Sequence, residues 1–327
     1  MRRIALLFLL AGSTAVYGQR NLNLEETVFG PRTYAPASIV SPRWIPNTNS
    51  ITYLDPTYQN LISKSASDNW KEQVLLSRSD LEQVIKSKLP NETIALRMFP
   101  YNYSWLNENT LSLEVDGKEK SYSLTYNIKS RNIDKLIGSD SKGNNKEVTA
   151  DRTKVAYLID NNIIISDAAG KITEVTRDKD AGIVNGSDYT HRQEFGINKG
   201  MWWSPDNTSL LYYRKDETMV SQYPLVQWSP RIAEAKEIRY PMAGMKSEEV
   251  TLVIYNTATG TSTSLQTGEP KEQYLTAVTW DPNSEYVYVG VLNREQNHLK
   301  FNKYNAKSGA FVKTLFEETA TTWVEPQ

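Results

Sequence analysis

The chain contains no cysteine and only two histidines, His191 and His298, in 327 residues. The first absence excludes a disulfide framework, thiolate metal sites and a cysteine nucleophile. The second removes the His clusters on which zinc sites draw and leaves at most two imidazole bases. No Gly-x-Ser-x-Gly elbow is present, so a serine-hydrolase triad is not built from this chain. Glycine-rich phosphate loops are missing as well, and no cofactor is implied. Charge of one sign is also lacking: 37 Lys and Arg stand against 38 Asp and Glu. With no net field and no basic stripe interleaved with aromatics, nucleic acid is excluded as a partner. The adjacent acids Glu248-Glu249 and Glu317-Glu318 read as solvated faces, and nothing selects two carboxylates for glycoside hydrolysis.

Long apolar runs are absent too. The longest opens the chain, where Arg2 and Arg3 precede Ile4 to Ala11 and small residues follow up to Gly18. That run is well short of the ~20 residues a bilayer requires, and its order is that of a secretory signal peptide. Residues 1–18 are therefore expected to be a leader, with 19–327 exported to the periplasm or secreted and no membrane span left after cleavage.

What is abundant is tyrosine and tryptophan, 19 and 8 residues, which favour pleated, half-buried surfaces. They sit in a recurring phrase: an aromatic, a polar turn, then alternating β-branched and aromatic residues. Trp44-Ile45-Pro46-Asn47 leads into Ser50 to Leu54, and Trp105-Leu106-Asn107-Glu108 into Thr110 to Val115. Trp203-Ser204-Pro205-Asp206 leads into Ser209 to Tyr213, and Trp280-Asp281-Pro282-Asn283 into Tyr286 to Val291. A fifth copy, Thr149 to Arg152 before Val155 to Leu158, has lost its Trp. Second hairpins follow, such as Ile163–Ser166 with Ile172–Thr176 and Leu252–Tyr255 with Ser262–Leu265. This period predicts an all-β fold of about five four-stranded blades in a partial β-propeller. Each Pro presets φ in its turn, each Asp or Asn accepts from the backbone two residues on, and each Trp is a wedge between blades. Two segments do not fit a blade. Lys71 to Leu89 has apolar residues at helical spacing and reads as a short helix or irregular edge, and 178–200 is an insertion.

The insertion carries a resemblance. Asn185-Gly186-Ser187-Asp188, Gln193-Glu194-Phe195-Gly196 and Met201-Trp202-Trp203-Ser204-Pro205-Asp206 resemble the glutamate-bearing insertion of the dipeptidyl peptidase IV family. Tyr212-Tyr213-Arg214-Lys215-Asp216-Glu217-Thr218, Tyr223-Pro224-Leu225-Val226 and Tyr240-Pro241-Met242-Ala243-Gly244 are similar to the family's following segments. The resemblance implies an eight-bladed propeller followed by an α/β-hydrolase domain, so this chain corresponds to the non-catalytic propeller part of an exported serine peptidase. It implies a homodimer for the intact enzyme, and a peptide N-terminus and the hydrolase domain as partners. In that family two consecutive glutamates bind the substrate's α-ammonium. Gln193 and Glu194 align with them, so Glu194 keeps the charge while Gln193 offers a neutral carbonyl, and Arg192 is expected to position Glu194. The local alternative is that Glu194 pairs with Arg192 or Lys199. The family's carbonyl-binding Arg has no clear counterpart around Lys118, Glu119 and Lys120. His191 reads as a packed or hydrogen-bonded histidine rather than a base. The insertion is expected to face a central cavity, and the alternative reading is a stand-alone TolB-like propeller serving as a binding or scaffold module.

Overall fold

Strand after strand repeats one up-and-down pattern, because apolar and polar residues alternate between turns that force the chain back on itself. The computed structural model describes residue 21 and residues 23–29 and 38–326; the expected leader lies outside these. The chain divides into two compact units, Met1–Val40 and Ser41–Gln327. In the first, helix α1 (Leu24–Phe29) starts at a capping box, where Asn23 Oδ1 accepts from Glu26 N at 2.7 Å and Asn23 N donates to Glu26 Oε2 at 3.0 Å.

The second unit is all-β. Its first antiparallel sheet runs β1 (Val40–Trp44), β2 (Ser50–Leu54), β3 (Asn60–Ser65) and β4 (Gln73–Ser77). The next is β5 (Ser104–Asn107), β6 (Thr110–Asp116), β7 (Lys120–Asn127) and β8 (Asn132–Asp140), and the third is β9 (Asn144–Val148), β10 (Lys154–Ile159), β11 (Asn162–Asp167) and β12 (Ile172–Glu174). In the fourth, β13 (Ile183–Asn185) and β14 (Met201–Trp203) share β15 (Ser209–Asp216), and a separate hairpin, β16 (Gln222–Gln227) and β17 (Glu234–Arg239), precedes β18 (Glu249–Asn256) and β19 (Thr261–Ser264). The fifth sheet is β20 (Gln273–Trp280), β21 (Tyr286–Asn293), β22 (His298–Asn305) and β23 (Phe311–Thr319). These are five blades of a partial β-propeller, as the repeat predicts.

The recurring phrase is the turn from the first to the second strand of each blade. Ser204 N donates to Ser209 O and Asn207 N to Ser204 O, and the same pair of bonds recurs at 149–154 and 281–286. Arg152, Asn207 and Ser284 occupy the left-handed position of these turns, with φ of 58°, 60° and 63°. Asp206 and Asp151 each accept from the amide two residues on, at 3.1 Å. The tryptophans tie successive blades together by their indole N–H groups. Trp105 donates to Thr52 Oγ1 at 2.9 Å, Trp203 to Glu147 O at 2.8 Å and Trp280 to Trp202 O at 3.1 Å. Trp44, in the first described blade, makes no such bond and is 62% exposed.

Period-two alternation then explains the core. On β15, Leu211 and Tyr213 face the fifth blade, packing with Leu275, Val287, Val289 and Tyr304, while Leu210 and Tyr212 face the third, packing with Ala156, Leu158 and Ile163. Leu252 and Ile254 of β18 follow the first set, Val253 and Tyr255 the second. Both faces of the blade are thus buried, each large side chain contributing roughly 1.5–3 kcal/mol. The stretch Lys71 to Leu89 resolves into the end of β4 and a helix, α2 (Arg78–Lys88), which starts at Ser77 accepting from Asp80 N and buries Leu81 and Ile85.

Candidate functional site

The insertion leaves the fourth blade through a gap in its first strand. β13 pairs with Arg214 to Asp216 of β15, and β14 with Leu210 to Tyr212. Tyr213, between them, makes one bond to each end of the gap: Gly186 N donates to Tyr213 O at 2.7 Å, and Tyr213 N donates to Gly200 O at 3.0 Å. The two glycines meet at this neck. A Cβ on Gly200 would lie 2.3 Å from Gly186 O and 2.4 Å from Ser187 O, so only glycine fits. Of the expected insertion 178–200, the part that leaves the sheet is therefore 187–199, because 183–185 is a strand of the blade.

Beyond the neck the backbone turns left-handed. His191, Arg192, Gln193 and Phe195 have φ of 46°, 56°, 62° and 58°. Each non-glycine residue in this region costs on the order of 1–2 kcal/mol, so surrounding contacts must hold the turn. His191 supplies the central one. Its Nε2 accepts from Leu275 N at 3.1 Å, while Tyr213 Oη donates to Leu275 O at 2.7 Å. Both backbone groups of Leu275 on the unpaired edge of β20 are thus satisfied by side chains of the preceding blade. The imidazole is edge-on to Tyr274 at 5.2 Å and Tyr213 at 6.4 Å, and Phe195 packs on Tyr274 at 5.0 Å.

Burial, aided by the positive charges of Lys215 and Arg294, pushes the His191 pKa down to about 3. The ring is neutral at pH 7. Because Nε2 accepts, its proton sits on Nδ1, which faces Glu248 Oε1 at 3.8 Å. That separation exceeds hydrogen-bond range, and with an uncharged ring it is not an ion pair. His191 is a structural clasp, as its sequence context suggests. Burial likewise pushes the Tyr213 hydroxyl upward.

A cavity of about 140 Å³ lies between the insertion and the fifth blade, lined by His191, Arg192, Glu194, Phe195, Glu248, Glu272, Tyr274 and Arg294, among others. Glu194 and Arg192 line it and Gln193 does not, while Gln193 and Glu194 are both exposed. Neither local partner foreseen for Glu194 engages it. Arg192 donates to Arg239 O at 3.1 Å and lies 4.7 Å from the centroid of the Tyr240 ring. Lys199 pairs with Glu147 at 2.7 Å. The Glu194 side chain makes no hydrogen bond or ion pair among the described residues. Arg192 thus holds the hairpin β16–β17 to the insertion rather than contacting the Glu194 carboxylate.

Three lining residues escape sequence reasoning. Glu248 does not sit on a solvated face: its side chain is only 8% exposed. Tyr274 and Arg294 come from the next blade, and only the strand pairing brings them here. Glu119 and Lys120 line a different cavity, with Tyr122, whose hydroxyl donates to Glu92 at 2.6 Å. Among the described residues no cluster of three or more His, Asp or Glu could hold a metal ion, and no helix is long and apolar enough to cross a membrane.

A model of the dipeptidyl peptidase IV N-terminal region matches residues 118–327. The chain belongs to the dipeptidyl peptidase IV family. Among solved structures, a candidate dipeptidyl aminopeptidase IV from Bacteroides ovatus is 33% identical, with a TM-score of 0.78 over 94% of this chain and 41% of that one. Porphyromonas gingivalis dipeptidyl peptidase 4, 21% identical with a TM-score of 0.70 over 94% of this chain and 44% of that one, shares the fold. Dipeptidyl aminopeptidase B of Saccharomyces cerevisiae is 34% identical over 44% of this chain and 19% of its own length. Dipeptidyl peptidase 4 of Felis catus is 27% identical over 62% of this chain and 30% of its own length. The chain therefore spans less than half of these family members, in their non-catalytic N-terminal part.

Proposed function

We propose that this chain forms the substrate-recognising part of an exported dipeptidyl peptidase IV-like serine peptidase, in which Glu194 binds the N-terminal ammonium of a peptide. The observation that carries this reading is a carboxylate free of protein partners, presented into a cavity by a strained turn that a buried clasp holds in place. A charge-assisted hydrogen bond from an ammonium would satisfy it. Because Gln193 is neutral and does not line the cavity, the pair of consecutive glutamates is reduced here to one. Catalysis belongs to a separate α/β-hydrolase domain, which supplies the nucleophilic Ser and its base. The exposed hairpin β16–β17 supports a homodimer: Val226, Trp228 and Ile232 stand in solvent, and an isolated two-stranded ribbon is marginal in water.

Calorimetric titration with the tripeptide Ala-Pro-Ala and its N-acetyl derivative tests the proposal. The free amine is expected to bind and the acetylated peptide to bind at least tenfold more weakly, with Glu194→Ala removing the difference. Equal binding of both peptides to the unmodified chain would refute it.

A further inference from the structure

Glu248 stands out among the charged groups of this molecule. It lies just ahead of β18, in the segment linking the exposed hairpin to the fourth blade. Its side chain is more than nine-tenths buried, and no hydrogen bond to it is present among the described residues. The nearest charged-type neighbour, His191 at 3.8 Å, is neutral. Neither carboxylate oxygen is fully enclosed, so the group keeps contact with the cavity, where a cation would be screened little and pair with it strongly.

The cavity does not supply one. Arg294 is engaged by Tyr274, donating to its hydroxyl and lying 5.4 Å from its ring centroid. Arg192 is engaged by the Arg239 carbonyl and the Tyr240 ring. Lys215, the remaining cation near His191, pairs with Glu217 at 3.0 Å. Glu194, Glu248 and Glu272 all line the space, and none makes an ion pair to these bases. At about 140 Å³ the cavity is below the ~300–1,000 Å³ of pockets that enclose drug-sized ligands, which suits the head of a chain and not a whole one.

We infer that Glu248 is a second ammonium-binding residue, completing with Glu194 a two-carboxylate clamp for a peptide's N-terminal amine in place of the charge absent at Gln193. This rests on the reading of Glu194 given above. The two acids arrive by different routes, Glu194 on the inserted turn and Glu248 on the strand entry after the hairpin. His191, three residues before Glu194, turns its Nδ1–H side toward Glu248 and its Nε2 toward Leu275, so one buried ring stabilises the turn and borders the second carboxylate. An ammonium has three donors, enough to meet both acids at once.

The test is calorimetric titration of the full chain with Ala-Pro-Ala and N-acetyl-Ala-Pro-Ala, using the unmodified chain, Glu194→Gln, Glu248→Gln and Glu248→Asp. Each glutamine variant is expected to weaken binding of the free amine by roughly tenfold to a hundredfold, as loss of a charged hydrogen bond would. Affinity for the acetylated peptide should not change. Glu248→Asp keeps the charge and is expected to retain part of the affinity, and thermal unfolding of each variant reports whether it is folded. Unchanged affinity in folded Glu248→Gln alongside a loss in Glu194→Gln would overturn the clamp while leaving the Glu194 reading intact. No preference of the unmodified chain for the free amine would overturn both.

Discussion

Lowering the pH from 7 to 5 probes how the insertion is held, because the clasp works only while His191 is neutral. Its folded-state pKa of about 3 lies below the 6.5 of an unperturbed imidazole. The unfolded chain therefore takes up the extra proton, and stability from this residue is complete above about pH 6.5 and is lost as the pH falls toward 3. At 1.36 kcal/mol per pH unit below the unfolded value, the loss between pH 7 and pH 5 is about 2 kcal/mol. The groups facing the ring are Glu248 from the strand entry, Lys215 and Tyr213 from β15, and Tyr274 and Arg294 from the fifth blade. The shifted aspartates, Asp55, Asp151, Asp206 and Asp216, are held below their usual range and titrate below this window. Glu147, raised by burial, acts in the opposite sense but equally in any His191 variant. The assay is urea unfolding followed by tryptophan fluorescence at both pH values, comparing the unmodified chain with His191→Gln, whose amide can still accept from Leu275 N but takes up no proton. The unmodified chain should lose about 2 kcal/mol more than the variant. An equal loss in both would refute the role given to this imidazole.

Gly200→Ala places a methyl group against the carbonyls of Gly186 and Ser187, and is expected to destabilise by about 3 kcal/mol or to abolish soluble protein, read by thermal unfolding and yield. Tyr213→Phe strands the Leu275 carbonyl and should cost about 1–3 kcal/mol in urea unfolding, with faster hydrogen exchange at residues 187–199. Trp203→Phe removes the bond to Glu147 O and should lower stability by roughly 1–2 kcal/mol, whereas Trp44→Phe, at an exposed indole that makes no such bond among the described residues, should change it by less than 0.5 kcal/mol. Replacing Trp228 and Ile232 with Ser should weaken self-association in sedimentation velocity without moving the thermal midpoint.

Much of the architecture is legible in the residues because it is local. The Trp-turn phrases act over six residues, through Asp side chains and left-handed positions, and they mark the first turn of four blades and, without its Trp, of a fifth. The alternation of Leu210, Leu211, Tyr212 and Tyr213 announces a strand buried on both sides. The site was legible in part. Glu194 stands out beside Phe195 and Gly196, yet Glu248 looks like one of many paired surface acids, and only the course of the chain after β17 buries it. The clasp was hidden for the same reason: His191 and Leu275 are 84 residues apart, and a backbone amide has no signature in sequence. Lys71 to Leu89 shows the converse, since its helical spacing is real only from Arg78 onward and the first residues are drawn into β4 by pairing with β3.

The broken first strand of the fourth blade separates two kinds of change. Since Gly186 and Gly200 close the gap upon Tyr213, the register of the flanking strands is set at the neck, and of the thirteen residues between the glycines His191, on Leu275, and Ile197, in the core, bind the scaffold. A loop mounted this way can change its outward residues while its footing stays put, so a chimera that keeps both glycines, His191 and Ile197 would carry a different tip on the same scaffold.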